Sequence, residues 1–170
     1  ALPHALRMSD HIIATSEATK NEIVHILKAR TDNITVIHSG IDEAFRPTAD
    51  ERLLHRVQKR YGITTPYILT VGTLDRRKNL QTLIQAYRML IPDKDPGCAL
   101  VIVGQKGNGH LELVRAIAER NLEKRIHLLG YVEEEDLPIL YSGARLFVSS
   151  SRYEGYGFPA LEALACGTPI

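Results

Sequence analysis

Four apolar runs constrain what this chain can fold into. Tyr67-Ile68-Leu69-Thr70-Val71, Ala99-Leu100-Val101-Ile102-Val103, Ile126-His127-Leu128-Leu129 and Leu146-Phe147-Val148 lack the apolar/polar alternation of a half-exposed strand, so each is expected to be buried on both faces. Between them Leu80, Leu83, Ile84, Tyr87 and Leu90, then Leu111, Val114, Ile117 and Ala118, then Leu137 to Ala144, mark helices. Strands without a polar face that alternate with helices predict a parallel sheet covered on both sides, a doubly wound α/β fold from about residue 45 onward. Asn79 is the expected N-cap of the helix at 80, and Gly62 the expected residue just past a helix over about 50–60.

The first forty residues read differently. His11-Ile12-Ile13-Ala14-Thr15 is a short strand, Ser16 an N-cap, and Ile23, Val24 and Ile26-Leu27 the apolar face of a helix, which together make one βα unit. Ile34-Thr35-Val36-Ile37 is a β-branched strand, and the turn-forming residues from His38 to Pro47 predict a linker or hinge. The chain lacks an initiator Met, opens on the amphipathic segment Ala1–Arg7 and ends at Thr168-Pro169-Ile170 as a strand would begin. It is therefore expected to be a piece of a longer protein.

Composition narrows the function classes. A chain of 170 residues, 44% hydrophobic, buries one good core but hardly two. Lys plus Arg number 21 against 20 for Asp plus Glu, with no basic block, which argues against a nucleic-acid partner. Cys98 and Cys166 each sit in an apolar run and are expected to be buried free thiols, as suits a reducing compartment. With no apolar run of about 20 residues and no leader pattern, the expected location is cytoplasmic.

In a doubly wound sheet, ligands dock on the loops that follow the strands. After Val71 comes Gly72-Thr73-Leu74-Asp75-Arg76-Arg77-Lys78-Asn79, three cations just before a helix N-terminus, where the dipole disfavours them unless an anion binds. A diphosphate held by Arg77 and Lys78 is the functional reading; a solvated charged loop is the plain one. After Val103 comes Gly104-Gln105-Lys106-Gly107-Asn108-Gly109, neither a dinucleotide fingerprint nor a P-loop, open between a tight turn and a ligand contact. After Leu129, the backbone of Tyr131-Val132 is a candidate for reading a flat base, and Glu133 to Asp136 read as a solvated helix start. After the last strand comes Ser151-Arg152-Tyr153-Glu154-Gly155-Tyr156-Gly157-Phe158-Pro159-Ala160-Leu161-Glu162. Its two glycines let amides approach a ligand, and Pro159 is placed to open a helix with Glu162 in its first turn. Both carboxylates are expected to face one crevice. The seven histidines show no metal-ligand spacing, so neither a metal nor a bound cofactor is expected.

Together, Val71-Gly72-Thr73-Leu74 with Arg77-Lys78-Asn79, Val101-Ile102-Val103-Gly104, Leu129-Gly130-Tyr131-Val132, and Glu154 to Ala163 with Ala165-Cys166-Gly167-Thr168-Pro169, resemble the group 1, or family 4, retaining glycosyltransferases. The E-x7-E segment is the specific part. The opening, Ser9 to Ser16, is similar to the last βα unit of that family's N-terminal domain, and Val36 to Asp42 to its interdomain connection.

The resemblance implies a GT-B enzyme with a Rossmann-like sheet and flanking helices, truncated here at both ends. Residues 1–42 would end the acceptor domain and 43–170 would form an incomplete nucleotide-sugar-binding domain. It implies that a hexose passes from a nucleotide diphosphate donor to a glycan or lipid-linked acceptor with retention, mannose being the first candidate. Arg77 and Lys78 would clamp the diphosphate beside Gly72 and Thr73, the Val132 backbone would meet the base, and Glu162 would bind the ribose. Glu154 and the turn of Gly155, Tyr156, Gly157 and Phe158 would hold the sugar, with Glu154, Lys78 and Arg77 as the catalytic set. Many members carry Arg where this chain has Thr73, which leaves the clamp to Arg77 and Lys78. The fragment alone would be inactive, the longer protein could associate peripherally with a membrane, and bare sheet edges would favour self-association. Two alternatives stay open: a GT-B-like epimerase or phosphorylase, and a non-catalytic nucleotide-binding or interaction module.

Overall fold

The computed structural model describes residues 8–91 and 97–170, so the opening segment 1–7 lies outside the described residues. The chain forms two compact units, Ala1–Gly40 with Glu154–Gly157, and Ile41–Tyr153 with Phe158–Ile170.

In the first unit, β1 (Ile12–Ala14) pairs in parallel with β2 (Ile34–Val36), and α1 (Glu17–Leu27) connects them. Ser16 caps α1 as expected, its Oγ accepting from Thr19 N–H at 3.1 Å. Lys28 ends the helix in the left-handed region, at φ 57°.

The second unit holds β3 (Tyr67–Val71), β4 (Ala99–Val103), β5 (Ile126–Gly130) and β6 (Leu146–Phe147), all parallel, in the order β5-β4-β3-β6. Among the described residues five α-helices accompany them: α2 (Glu51–Arg60), α3 (Leu80–Leu90), α4 (His110–Ala118), α5 (Leu137–Gly143) and α6 (Phe158–Ala165). Successive residues of β4 feed opposite faces. Ala99, Val101 and Val103 pack with Val57 of α2, Leu140 and Tyr141 of α5 and Ala163 of α6. Leu100 and Ile102 pack with Leu83, Ile84 and Tyr87 of α3 and Leu113 and Ile117 of α4. That double burial is why the sequence of β4 shows no alternation.

The strand order reverses at β3. From it the chain proceeds through β4 to β5 on one side and then crosses to β6 on the other. Such a switch point opens a crevice outside the carboxyl ends of the two strands flanking the reversal, here β3 and β6. The β6 edge is partly occupied, since Phe147 N–H donates to Pro169 O at 2.8 Å, so it is less bare than expected.

The helix ends read from the sequence hold at Gly62 but not at Asn79. Asp50 caps α2 by accepting from Arg52 and Leu53 N–H. Gly62, at φ 66°, closes that helix as a Schellman turn in which Gly62 N–H reaches Lys59 O and Ile63 N–H reaches Gln58 O. Asn79 precedes α3 but does not cap it with its side chain. Its backbone is left-handed, at φ 53°, because it also ends the 3-10 turn Arg76–Lys78, and its Oδ1 accepts from Thr82 Oγ1 instead. The acidic run also divides: Glu133 to Glu135 are exposed, but Asp136 is buried and accepts from Arg60 Nη1 at 2.7 Å and Tyr61 Oη at 2.9 Å, tying α2 to the start of α5.

Candidate functional site

The loops after β3 and β4 are built as one piece. Gly72 N–H donates to Val103 O and Leu74 N–H to Gln105 O, carrying the strand pairing past the strand ends. Gly104 sits at φ 153°, and a Cβ on it would run into the Gly72 carbonyl. Asp75 Oδ1 accepts from Asn108 N–H at 3.1 Å, Asn108 Oδ1 accepts from Arg76 N–H at 3.0 Å, and a Cβ on Gly107 would collide with that Asp75 carboxylate. The glycine-rich segment after β4 is therefore a brace for the β3 loop.

On this brace the three cations take different roles. Arg76 pairs with Glu112 of α4; the carboxylate raises the guanidinium's pKa, and the guanidinium lowers that of the carboxylate. Arg77 is exposed, and its Nη1 donates to Tyr153 O at 2.6 Å, while its own carbonyl accepts from Arg152 N–H. Lys78 is only 9% exposed, and its side chain lies across Gly72 so closely that a Cβ there would fall 2.5 Å from Cε and 2.7 Å from Nζ. Ser150 Oγ donates to Lys78 O at 2.8 Å. The loops after β3 and β6 are thus stitched together at the switch point, with an ammonium group held over a glycine.

Thr73 is exposed beside this group, and its carbonyl accepts from Asp75 N–H. Val132 buries its side chain in the core, 6% exposed, which fixes the backbone after β5. A cavity of about 190 Å³ on the far side of the β3 loop is lined by Arg76, Asn79, Gln81, Glu112 and Arg152 but by none of Gly72, Lys78 or Glu162. It is smaller than the roughly 300–1,000 Å³ of ordinary ligand pockets and reads as a packing gap beside the Arg76–Glu112 pair.

Glu162 lies on α6, which begins at Phe158, so it falls just past the first turn and not within it. The half-buried carboxylate accepts at Oε2 from Tyr141 Oη at 2.8 Å. Burial first, and the Glu162 charge second, raise the Tyr141 phenol well above its ordinary value of 10.0. Cys166, just past the end of α6, is also buried, and burial raises its thiol.

The turn Glu154–Gly157 groups with the first unit, so the two carboxylates of the E-x7-E segment fall in different units. Gly155 O accepts from Ser16 Oγ at 2.7 Å and Thr19 Oγ1 at 3.1 Å. The Tyr156 ring stacks on His38, with centroids 5.9 Å apart, and its hydroxyl donates to Ser39 O at 2.8 Å. Its side chain therefore braces the turn. Gly157 needs its glycine for φ 84°. Gly155 does not: a Cβ there would meet, among the described residues, only Thr19 Oγ1 at 3.8 Å. Phe158 is exposed at the start of α6.

Sequence reasoning missed Ser150, Tyr153 and Tyr141, which hold Lys78, Arg77 and Glu162. Ser150 and Tyr153 act through a hydroxyl and a carbonyl that carry no type-specific signal. Tyr141 left one clue, a phenol in a mostly apolar helix, which needs a partner once buried.

A sequestered ammonium with a neighbouring guanidinium suits an anion, and a braced carboxylate on α6 suits hydroxyls. The sequence profile described as glycosyl transferases group 1 matches residues 54–170. The chain is 33% identical over 170 residues to the O-antigen chain mannosyltransferase B of Escherichia coli, covering 100% of this chain and 45% of that protein. It is 32% identical over 171 residues to mannosylfructose-phosphate synthase of Agrobacterium fabrum, covering 96% and 37%. The chain thus spans less than half the length of these relatives. The crystal structure of Anabaena HepE in complex with UDP and glucose superposes with a TM-score of 0.82 at 24% identity, over 98% of this chain and 45% of that one. By fold and by sequence, the chain belongs to the group 1 glycosyl transferases.

Proposed function

We propose that the protein transfers a hexose, mannose first among candidates, from a nucleotide diphosphate donor to a glycan or lipid-linked acceptor, and that Ile41 onward supplies most of the donor site. The observation that carries this is Lys78. A nearly buried ammonium over a side-chain-free strand end, at the switch point of a parallel sheet, is a fixed positive charge of the kind that would stabilise a departing diphosphate. Arg77 adds a second cation on the rim, and the amides at the start of α3 add a favourable dipole. On this reading Glu162 accepts from the ribose, the Val132 backbone meets the base, and Glu154 with the amides of the turn holds the sugar. Close approach of a ligand would account for a glycine at 155, which packing alone does not require. The names of the mannosyltransferase relatives support mannose, and the UDP and glucose of the HepE complex support a nucleotide-sugar donor. Retention follows from the family resemblance.

The test is a panel of GDP-mannose, UDP-glucose and related donors on the full-length protein. GDP-mannose is expected to be turned over, and Lys78→Ala to lower kcat by about 100-fold or more, the scale of a lost preorganised charge contact. Near-normal turnover by Lys78→Ala, or no transfer from any nucleotide sugar, would overturn the reading.

A further inference from the structure

We propose that Tyr141 is a positioning residue of the donor site: its hydroxyl holds Glu162 Oε2 and so presents Oε1 to neighbouring ribose hydroxyls. The proposal rests on the reading of Glu162 as the ribose contact.

Nothing in the packing of the ring calls for a hydroxyl. Tyr141 is 0% exposed, with its ring against Phe45 at 6.0 Å and Phe147 at 5.7 Å, surroundings that a phenylalanine would satisfy equally. A buried hydroxyl needs a hydrogen-bond partner, and this one reaches across from α5 to a carboxylate on α6.

The ring cannot follow the carboxylate if it moves. The Tyr141 carbonyl accepts from Thr168 Oγ1 at 2.6 Å and from Ala144 N–H at 3.0 Å, so the residue is fixed through its backbone as well as its ring. Glu162, by contrast, is half-buried on a side chain with several free torsions, which makes the phenol the natural anchor of the pair.

The partner is also neutral. A lysine or arginine in that place would orient the carboxylate but cancel much of its strength as an acceptor. A phenol, kept protonated by its burial, orients the carboxylate and leaves its charge for the ligand.

The experiment measures dissociation constants by calorimetry on the full-length protein, for UDP, GDP and ADP and for their 2′,3′-dideoxy counterparts. Wild type, Tyr141→Phe and Glu162→Gln are compared. The best-binding ribonucleotide is expected to bind wild type about tenfold or more tightly than its dideoxy form. Tyr141→Phe is expected to shrink that ratio about fivefold while the dideoxy affinity stays unchanged, a pattern that general loosening of the fold would not give. If Glu162→Gln abolishes the ratio and Tyr141→Phe leaves it intact, the proposal fails and the ribose reading stands. If wild type binds the ribo and dideoxy forms alike, or binds none of them, the ribose reading fails and takes the proposal with it. Should Tyr141→Phe not fold, 3-fluorotyrosine at 141 retains ring and hydroxyl while changing donor strength; a shifted ratio then supports the proposal and an unchanged one overturns it.

Discussion

Gly72 shows how one missing side chain organises a site. Its φ of 146° disfavours other residues, and the space a Cβ would take is filled by the end of the Lys78 side chain. Gly72→Ala should therefore act twice. Strain should lower stability by about 1–3 kcal/mol. Displacement of the ammonium should lower nucleotide diphosphate affinity about tenfold or more, as loss of a charge-assisted contact would. Melting and calorimetry on one preparation would check both effects; a stability loss with unchanged affinity would separate Gly72 from the ligand. Arg76, Arg77 and Lys78 were legible as an anion-seeking cluster, but their division was not. The partner that occupies Arg76 is Glu112, 36 positions away, and no local pattern announces it.

At the scale of elements, the determinant is the lock between the loops after β3 and β4. Its glycines are read in the sequence as a motif without a function, because what they accommodate is Gly72 and Asp75 on another loop. Gly104→Ala would put a Cβ into a backbone carbonyl that has no flexible end to yield. An expected cost of about 2–5 kcal/mol combines overpacking with strain. Thermal unfolding should show Gly104→Ala as far more damaging than Gly155→Ala, whose Cβ meets only Thr19 Oγ1 at 3.8 Å among the described residues. Similar losses for the two variants would contradict the lock. The Asn79 cap failed for a related reason: a residue that ends one turn and starts the next helix adopts the conformation the first demands.

At the scale of the whole molecule, the second unit buries the hydroxyls of Tyr67 and Tyr141, and this bears on its behaviour in alkali. Tyr67 Oη donates to Leu140 O at 2.7 Å and Tyr141 Oη to Glu162, and burial raises both phenols well above 10.0. Unfolding would free them to ionise near their ordinary value. Above pH 10 the folded state therefore holds more protons than the unfolded state, and its stability falls as pH rises. The slope approaches about 1.4 kcal/mol per pH unit for each tyrosine. Cys166, raised from 9.0, adds to the loss from about a pH unit lower. Denaturant melts from pH 8 to 11 are expected to show a steep decline that Tyr67→Phe makes shallower. A flat profile would show that the two hydroxyls ionise in the folded state.

The sequence by itself determined the class of fold, because double burial of a strand is written in its own residues: β3 and β4 could be read to the residue and β5 and β6 to within one. It also determined which loops carry charge and where Ser16 and Gly62 end their elements, since caps and C′ glycines act within a few residues. Only the tertiary structure decided that Lys78 lies over Gly72, that Glu162 leans on Tyr141, that Asp136 is buried against Arg60, and that the turn at Glu154 belongs with Ser16 and Thr19. The first folds one loop back on itself, and the others join residues far apart in the chain. A hydrogen bond or a close contact is settled by where backbones meet in space, and that placement is a property of the packed whole.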